Sequence, residues 1–189
     1  DLSQVEAFRS GDLKAFEFLF DKYREKVYRV AFRFVRHRED ALEVTQDVFL
    51  RVCTGIAKFK TDSKFFTWLY RITVNRAIDF TRSRKNRGAT ELDAQLVDAT
   101  GRLPPGRSAA PDPGQAAEER ELQERLARAV DQLSDKHRAV FLLHAMENLS
   151  YKEIAQALDT SIGTIMSRLF YARKKLQAIL GMHPPGEKV

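Results

Sequence analysis

The chain has a single cysteine, Cys53, among its 189 residues. This excludes an internal disulfide and any multi-cysteine metal site, and it suits a reducing compartment. The four histidines, His37, His137, His144 and His183, share no metal-ligand spacing, and no glycine-rich run has the form of a phosphate-binding loop. His144 and Glu147, three positions apart, read as a polar helix edge rather than a metal pair. Cys53 has no neighbouring base in sequence and reads as packing. No apolar run approaches the roughly 18 residues that a membrane span needs, and no leader pattern precedes the first amphipathic segment. We therefore expect no membrane insertion, no metal, no cofactor, no small-molecule substrate and no catalysis by this chain alone. Strand-like alternation and internal repeats are missing as well, which leaves helices.

Hydrophobic residues make up 43% and charged residues 31%, a balance that can support one sizeable core or two small ones. The net charge of +6 favours a polyanionic partner provided the cations cluster. They do so at two places. Asp12, following Gly11, caps a long amphipathic segment whose apolar stripe is Leu13, Phe16, Leu19, Phe20, Tyr23, Val27, Val30, Ala31, Phe34 and Val35. The polar cluster Arg36 to Glu39 ends it. Asp40 opens a second helix with Val44, Val48, Val52 and Ile56 inward and a polar opposite face. Residues 57–63 read as a loop, and a third helix runs from about Lys64 towards Arg87. In it Phe65, Leu69 and Ile72 can pack, while Trp68, Tyr70, Arg71, Asn75 and Arg76 occupy the remainder and Arg82, Arg84, Lys85 and Arg87 form a cationic end. Phe59, flanked by Lys58 and Lys60, gains little from burial in such a loop, so an exposed stacking role is expected for it. Aromatics beside cations suit single-stranded nucleic acid, with bases stacked and the phosphate backbone held.

From Gly88 the pattern dissolves into small residues, glycines and prolines, with Glu91, Asp93 and Asp98 ahead of Pro104, Pro105, Pro111 and Pro113. This is an acidic, flexible linker. Helical period returns with Leu122, Leu126, Ala129, Val130 and Leu133, and restarts at Ser134 or Asp135. Ser150 and Glu153 have the spacing of a capping box. A short helix then runs to Leu158, Asp159 to Ser161 form a polar turn with a second N-cap, and Ile162, Ile165, Leu169, Ala172 and Leu176 repeat at helical spacing. The other face of this last helix carries Thr164, Met166, Ser167, Arg168, Phe170, Tyr171, Arg173, Lys174 and Lys175. A helix-turn-helix that reads a DNA major groove has this form. The expected architecture is all-α, two helical domains on a flexible acidic linker.

Four stretches carry a family resemblance: AFEFLFDKY at 15–23, DALEVTQDVFLRV at 40–52, FKTDSKFFTWLYRITVNRAIDFTR at 59–82, and the segment from Leu133 to Leu176. In that order, and across an acidic linker, they resemble bacterial RNA polymerase sigma factors of the sigma-70 family, in the compact extracytoplasmic-function (ECF) group. The resemblance implies a sigma-2 helical bundle over 1–87, a linker over 88–118, a sigma-4 helix-turn-helix domain over 119–180 and a tail over 181–189. It implies a dissociable initiation subunit, not an enzyme, that binds core polymerase, recognises the −35 and −10 elements and promotes melting.

The partners it implies are core RNA polymerase, promoter DNA and, as for many such factors, an anti-sigma protein; the location is cytoplasmic, on the nucleoid when polymerase-bound. Asp40, Glu43, Gln46, Asp47 and Leu50 would face the beta-prime clamp helices, and sigma-4 would also touch the beta flap. Phe59, Lys60, Trp68, Arg71, Asn75, Arg76, Asp79 and Arg82 would serve the −10 element, where the loop from Phe59 to Thr67 and Asn75 capture a flipped base. Ser161, Thr164, Met166, Ser167, Arg168, Phe170, Tyr171, Arg173 and Lys174 would serve the −35 element. The linker would thread the active-site cleft, its acids mimicking RNA phosphates. At Met166 the family often has Lys or Arg; methionine offers only an apolar contact, such as to a thymine methyl. The alternative reading is a dimeric helix-turn-helix regulator of duplex operator DNA.

Overall fold

The computed structural model describes residues 1–60, 63–86 and 113–181. The linker acids, Arg87 and the tail after Gly181 lie outside them. Every regular element among the described residues is helical. They are α1 (Leu2–Arg9), α2 (Leu13–Val35), α3 (Arg38–Gly55), a single 3-10 turn (Ile56–Lys58), α4 (Phe65–Asn86), α5 (Pro113–Asp131), α6 (Asp135–Ala145), α7 (Tyr151–Ala157) and α8 (Ile162–Leu180). No helix among the described residues is long and apolar enough to cross a membrane. The chain divides into two compact units, Asp1–Gln95 with Lys152–Thr160, and Leu96–Tyr151 with Ser161–Val189.

In the first unit α2 is the central rod. Asp12 caps it as expected, its carboxylate accepting from the Lys14 N–H at 2.9 Å. The helix ends where Arg36 takes a left-handed conformation, φ 59°, a conformation unusual for a residue with a side chain and a common way to stop a helix. His37 rather than Asp40 occupies the N-cap position of α3, so that helix starts at Arg38. Leu19, Val27 and Val30 of α2 are buried with Val44, Val48 and Val52 of α3 and Phe65, Leu69 and Val74 of α4. Each such side chain contributes about 1.5–3 kcal/mol on leaving water. Two members expected elsewhere differ. Leu13 is exposed, because it sits in the first turn of α2, ahead of the core. Tyr70 is buried, its ring edge-on to Phe66 at 6.0 Å, and not on the outer face.

The short helix α1 was not anticipated. It buries Val5 and sets Phe8 against Phe16 of α2 at 5.1 Å, beginning a run of ring contacts that continues through Phe20 to Phe49 at 4.7 Å.

In the second unit α8 packs against α5 and α6. Ala129, Val130, Leu133, Val140, Leu142 and Leu143 are buried, as are Ile165, Leu169, Ala172 and Leu176 of α8. The joint between α5 and α6 is held by Arg138, whose guanidinium donates to the Asp131 carbonyl at 2.8 Å and pairs with the Asp131 carboxylate at 3.2 Å. A buried arginine thus occupies carbonyl acceptors that a helix end leaves free. Ser161 caps α8, accepting from the Thr164 N–H at 3.1 Å, and Gly181 closes it at φ 68°.

Candidate nucleic-acid interface

Two helices carry the candidate surfaces. On α4 the exposed positions Arg71, Asn75, Asp79 and Arg82, preceded by half-buried Trp68, recur at spacings of three and four and therefore share one stripe. Asn75 extends a side-chain amide from the middle of that stripe, able to donate and accept at once. Lys60 is exposed just before the helix.

Phe59 is not exposed. Its ring retains 2% of its accessible surface and packs 5.3 Å from Trp68 and 5.9 Å from Phe65. Lys58 and Lys60 on either side of it are exposed, but the ring between them is not. Arg9, brought alongside by α1, donates from Nε to the Ile56 carbonyl at 3.0 Å and from Nη2 to the Phe59 carbonyl, so the loop backbone is satisfied and the ring turns inward. The stacking role expected of Phe59 is therefore replaced by a structural one. Trp68 shares this aromatic cluster but keeps part of its surface.

The polymerase face expected on α3 and the cations expected on α4 meet each other. Asp47 accepts from Arg76 Nε at 2.6 Å, and Asp40 is paired with Arg84. Arg76 also lies over the Phe80 ring at 5.5 Å. Arg76 is thus committed to the fold rather than held out for a backbone phosphate. The outward members of the α3 face are Glu43, Gln46 and Leu50, again at spacings of three and four. Cys53 is exposed on the same helix and does not take the packing role expected of it; partial desolvation of its thiol pushes its pKa up.

On α8 the outer surface has two edges. Ile162, Met166 and Phe170 recur every four residues and are exposed, Met166 by 54% and Phe170 by 62%. Ile162 had been expected inward, but it precedes the first position that reaches the core. Tyr171, 59% exposed, stands edge-on to Phe170 at 5.4 Å. The second edge is polar. The Ser161 hydroxyl lies 2.8 Å from that of Thr164, and Ser167 donates to the Thr164 carbonyl at 3.1 Å. Arg168 is half-buried, Arg173 and Lys174 are exposed, and Lys175 Nζ donates to the Gln132 carbonyl at 2.6 Å. Hydroxyls, an apolar row and cations on one capped helix supply groups for phosphate contact, base-edge hydrogen bonds and methyl contact together.

His144 belongs to neither surface: its ring nitrogen meets the Leu149 carbonyl at 3.2 Å and its ring lies 5.2 Å from Tyr151. Among the described residues no three His, Cys, Asp or Glu side chains gather as a metal site would require.

Comparison with known proteins finds matches in both halves. Residues 19–87 match the family model for sigma-70 region 2, and residues 123–176 that for sigma-70 region 4. The RNA polymerase sigma-H factor of Pseudomonas aeruginosa is 32% identical over 184 residues, 95% of this chain and 93% of its own length. The ECF RNA polymerase sigma factor SigW of Bacillus subtilis is 31% identical over 176 residues, 92% and 93% of the two chains. The ECF sigma-E factor of Escherichia coli K12 is 31% identical, covering 91% and 90%. Among solved structures, CnrH in complex with the cytosolic domain of CnrY superposes with a TM-score of 0.68 at 24% identity, covering 96% of this chain and 97% of that one. The sigma factor RpoE of Bartonella quintana, solved with the anti-sigma factor NepR, gives 0.65 at 21% identity, covering 90% and 99%. Those two likenesses concern the fold. Agreement of the sequence relatives over nearly the whole chain favours this reading over a dimeric operator-binding regulator: the chain belongs to the sigma-70 family of bacterial RNA polymerase sigma factors, in its extracytoplasmic-function group.

Proposed function

We propose that the chain works as the promoter-specificity subunit of RNA polymerase through three surfaces. The outward face of α3, Glu43, Gln46 and Leu50, docks on the polymerase clamp. The α4 stripe of Trp68, Arg71, Asn75, Asp79 and Arg82, with Lys60 before it, receives the −10 strand once it is unpaired. The outer face of α8 enters the −35 major groove. The chain performs no bond chemistry; it lowers the cost of opening by holding what opening exposes. Each disrupted step costs a few kcal/mol, so a stripe with only one partly exposed indole melts well-matched sites selectively.

The observation that supports this reading is the presence of two helices with exposed polar, apolar and cationic stripes in one chain, α4 in the segment that matches sigma-70 region 2 and α8 in the segment that matches region 4. The apolar row Ile162, Met166, Phe170 supports thymine methyls as part of the −35 target. An anti-sigma partner belongs to the same proposal, since the RpoE neighbour was solved with one. So does a cytoplasmic location, where polymerase works. Size-exclusion chromatography of the chain with core RNA polymerase, followed by run-off transcription on a promoter library, tests it. Co-elution and transcripts from a shared two-part motif are expected. A chain that fails to co-elute and instead shifts a duplex operator alone overturns the reading.

A further inference from the structure

The helix α1 precedes the region-2 match by ten residues, and the promoter-reading scheme gives it no part. Its last residue, Arg9, nevertheless reaches the segment that leads into α4. The 3-10 turn Ile56–Lys58 closes the run of α3, its Ile56 carbonyl accepting the Phe59 N–H at 3.2 Å. Arg9 meets two carbonyls there, three residues apart: Nε donates to the Ile56 carbonyl as its second donor at 3.0 Å, and Nη2 donates to the Phe59 carbonyl. The guanidinium also lies 5.8 Å from the Phe59 ring centre. Phe59 is thereby held extended at φ −65° and ψ 125°, with its ring against Trp68, the residue that begins the exposed stripe of α4.

We propose that Arg9 is a positioning residue for the −10 surface: its fork holds the Ile56–Phe59 backbone, which seats Phe59 and through it sets the orientation of the Trp68 indole towards an unpaired base. This rests on the reading of the α4 stripe as the −10 surface. An arginine suits the position because one planar group meets both acceptors; a lysine there offers a single point charge and can serve one carbonyl well.

The test uses the full chain with core polymerase. Arg9→Ala places the best helix former at the end of α1, and Arg9→Lys retains the charge. The probe is a single-stranded oligonucleotide carrying the non-template −10 sequence of a promoter that the holoenzyme is shown to melt, with and without an abasic site at each position in turn. Co-elution with core polymerase is expected to be unchanged for both variants. Affinity for the intact oligonucleotide is expected to fall about tenfold in Arg9→Ala, within the range of one lost stacking contact, with at most partial recovery in Arg9→Lys. At one abasic position the wild type and the variants should converge, because the contact that Arg9 supports is already gone. The emission of Trp68, the chain's one tryptophan, should shift in free Arg9→Ala. If the variant and abasic losses add, if the variants bind the intact strand normally while the wild type senses the abasic site, or if polymerase binding falls in step, the Arg9 proposal is overturned and the −10 reading survives. A wild type indifferent to every abasic site overturns both.

Discussion

At the scale of residues, Phe59 and Asn75 illustrate the difference between holding a surface and being one. Phe59 is enclosed by Phe65 and Trp68 and lies beneath Arg9, whereas Asn75 stands outward on α4. Phe59→Ala should cost about 3–5 kcal/mol of stability, as truncation of a core aromatic does, and lower the melting temperature of the free chain. Asn75→Ala should stay within about 0.5 kcal/mol of the parent yet lower open-complex formation while leaving polymerase binding intact. Thermal unfolding beside a permanganate footprint of the melted strand separates the two, and equal loss of polymerase binding in Asn75→Ala would make that residue structural. Asn75 was legible in the sequence because its place on the helix fixes its neighbours. Phe59 was not, because the rings that enclose it, Phe65 and Trp68, belong to the next helix, and the arginine that meets its carbonyl lies 50 positions away, while the two lysines beside it describe only its local company.

At the scale of elements, caps and periods were the legible features. Asp12 and Ser161 stand at the helix starts they were assigned, and the buried positions of α3 and the spine Ile165 to Leu176 of α8 follow the apolar period. Errors arose at ends. Pro113 reads as linker in the sequence, but proline suits the first turn of a helix, where its missing N–H would have had no partner, and α5 begins there. On α8 the cations are not equivalent. Lys175 is engaged with the end of α5 through Gln132, while Arg173 is exposed beyond the apolar row. Arg173→Ala is therefore expected to weaken binding across many promoters and to reduce the slope of log affinity against log salt by about one. Filter binding of holoenzyme at several salt concentrations measures it, and an unchanged slope would remove Arg173 from the phosphate contacts.

At the scale of the whole molecule, the proposed reading makes recognition a two-point event whose span is set by polymerase. Adding or removing one base pair between the two elements displaces one reader by about 3.4 Å along the duplex, which should lower run-off yield sharply while single-element contacts stay unaltered; a yield insensitive to spacing would mean that one element suffices. That the chain has two helical regions was legible from its pattern, because the proline- and glycine-containing stretch separates two well-patterned runs; that Lys152–Thr160 group with the first unit was not. What composition did not show is that Asp40 and Asp47 of α3 are paired to Arg84 and Arg76 of α4. These pairs tie the helix that would face polymerase to the helix that would face DNA. Drift at position 47 or 40 alone would strand a half-buried arginine on the neighbouring helix, so lineages that alter one member are expected to alter the other, and promoter preference and polymerase fit would evolve as linked traits rather than as separate ones.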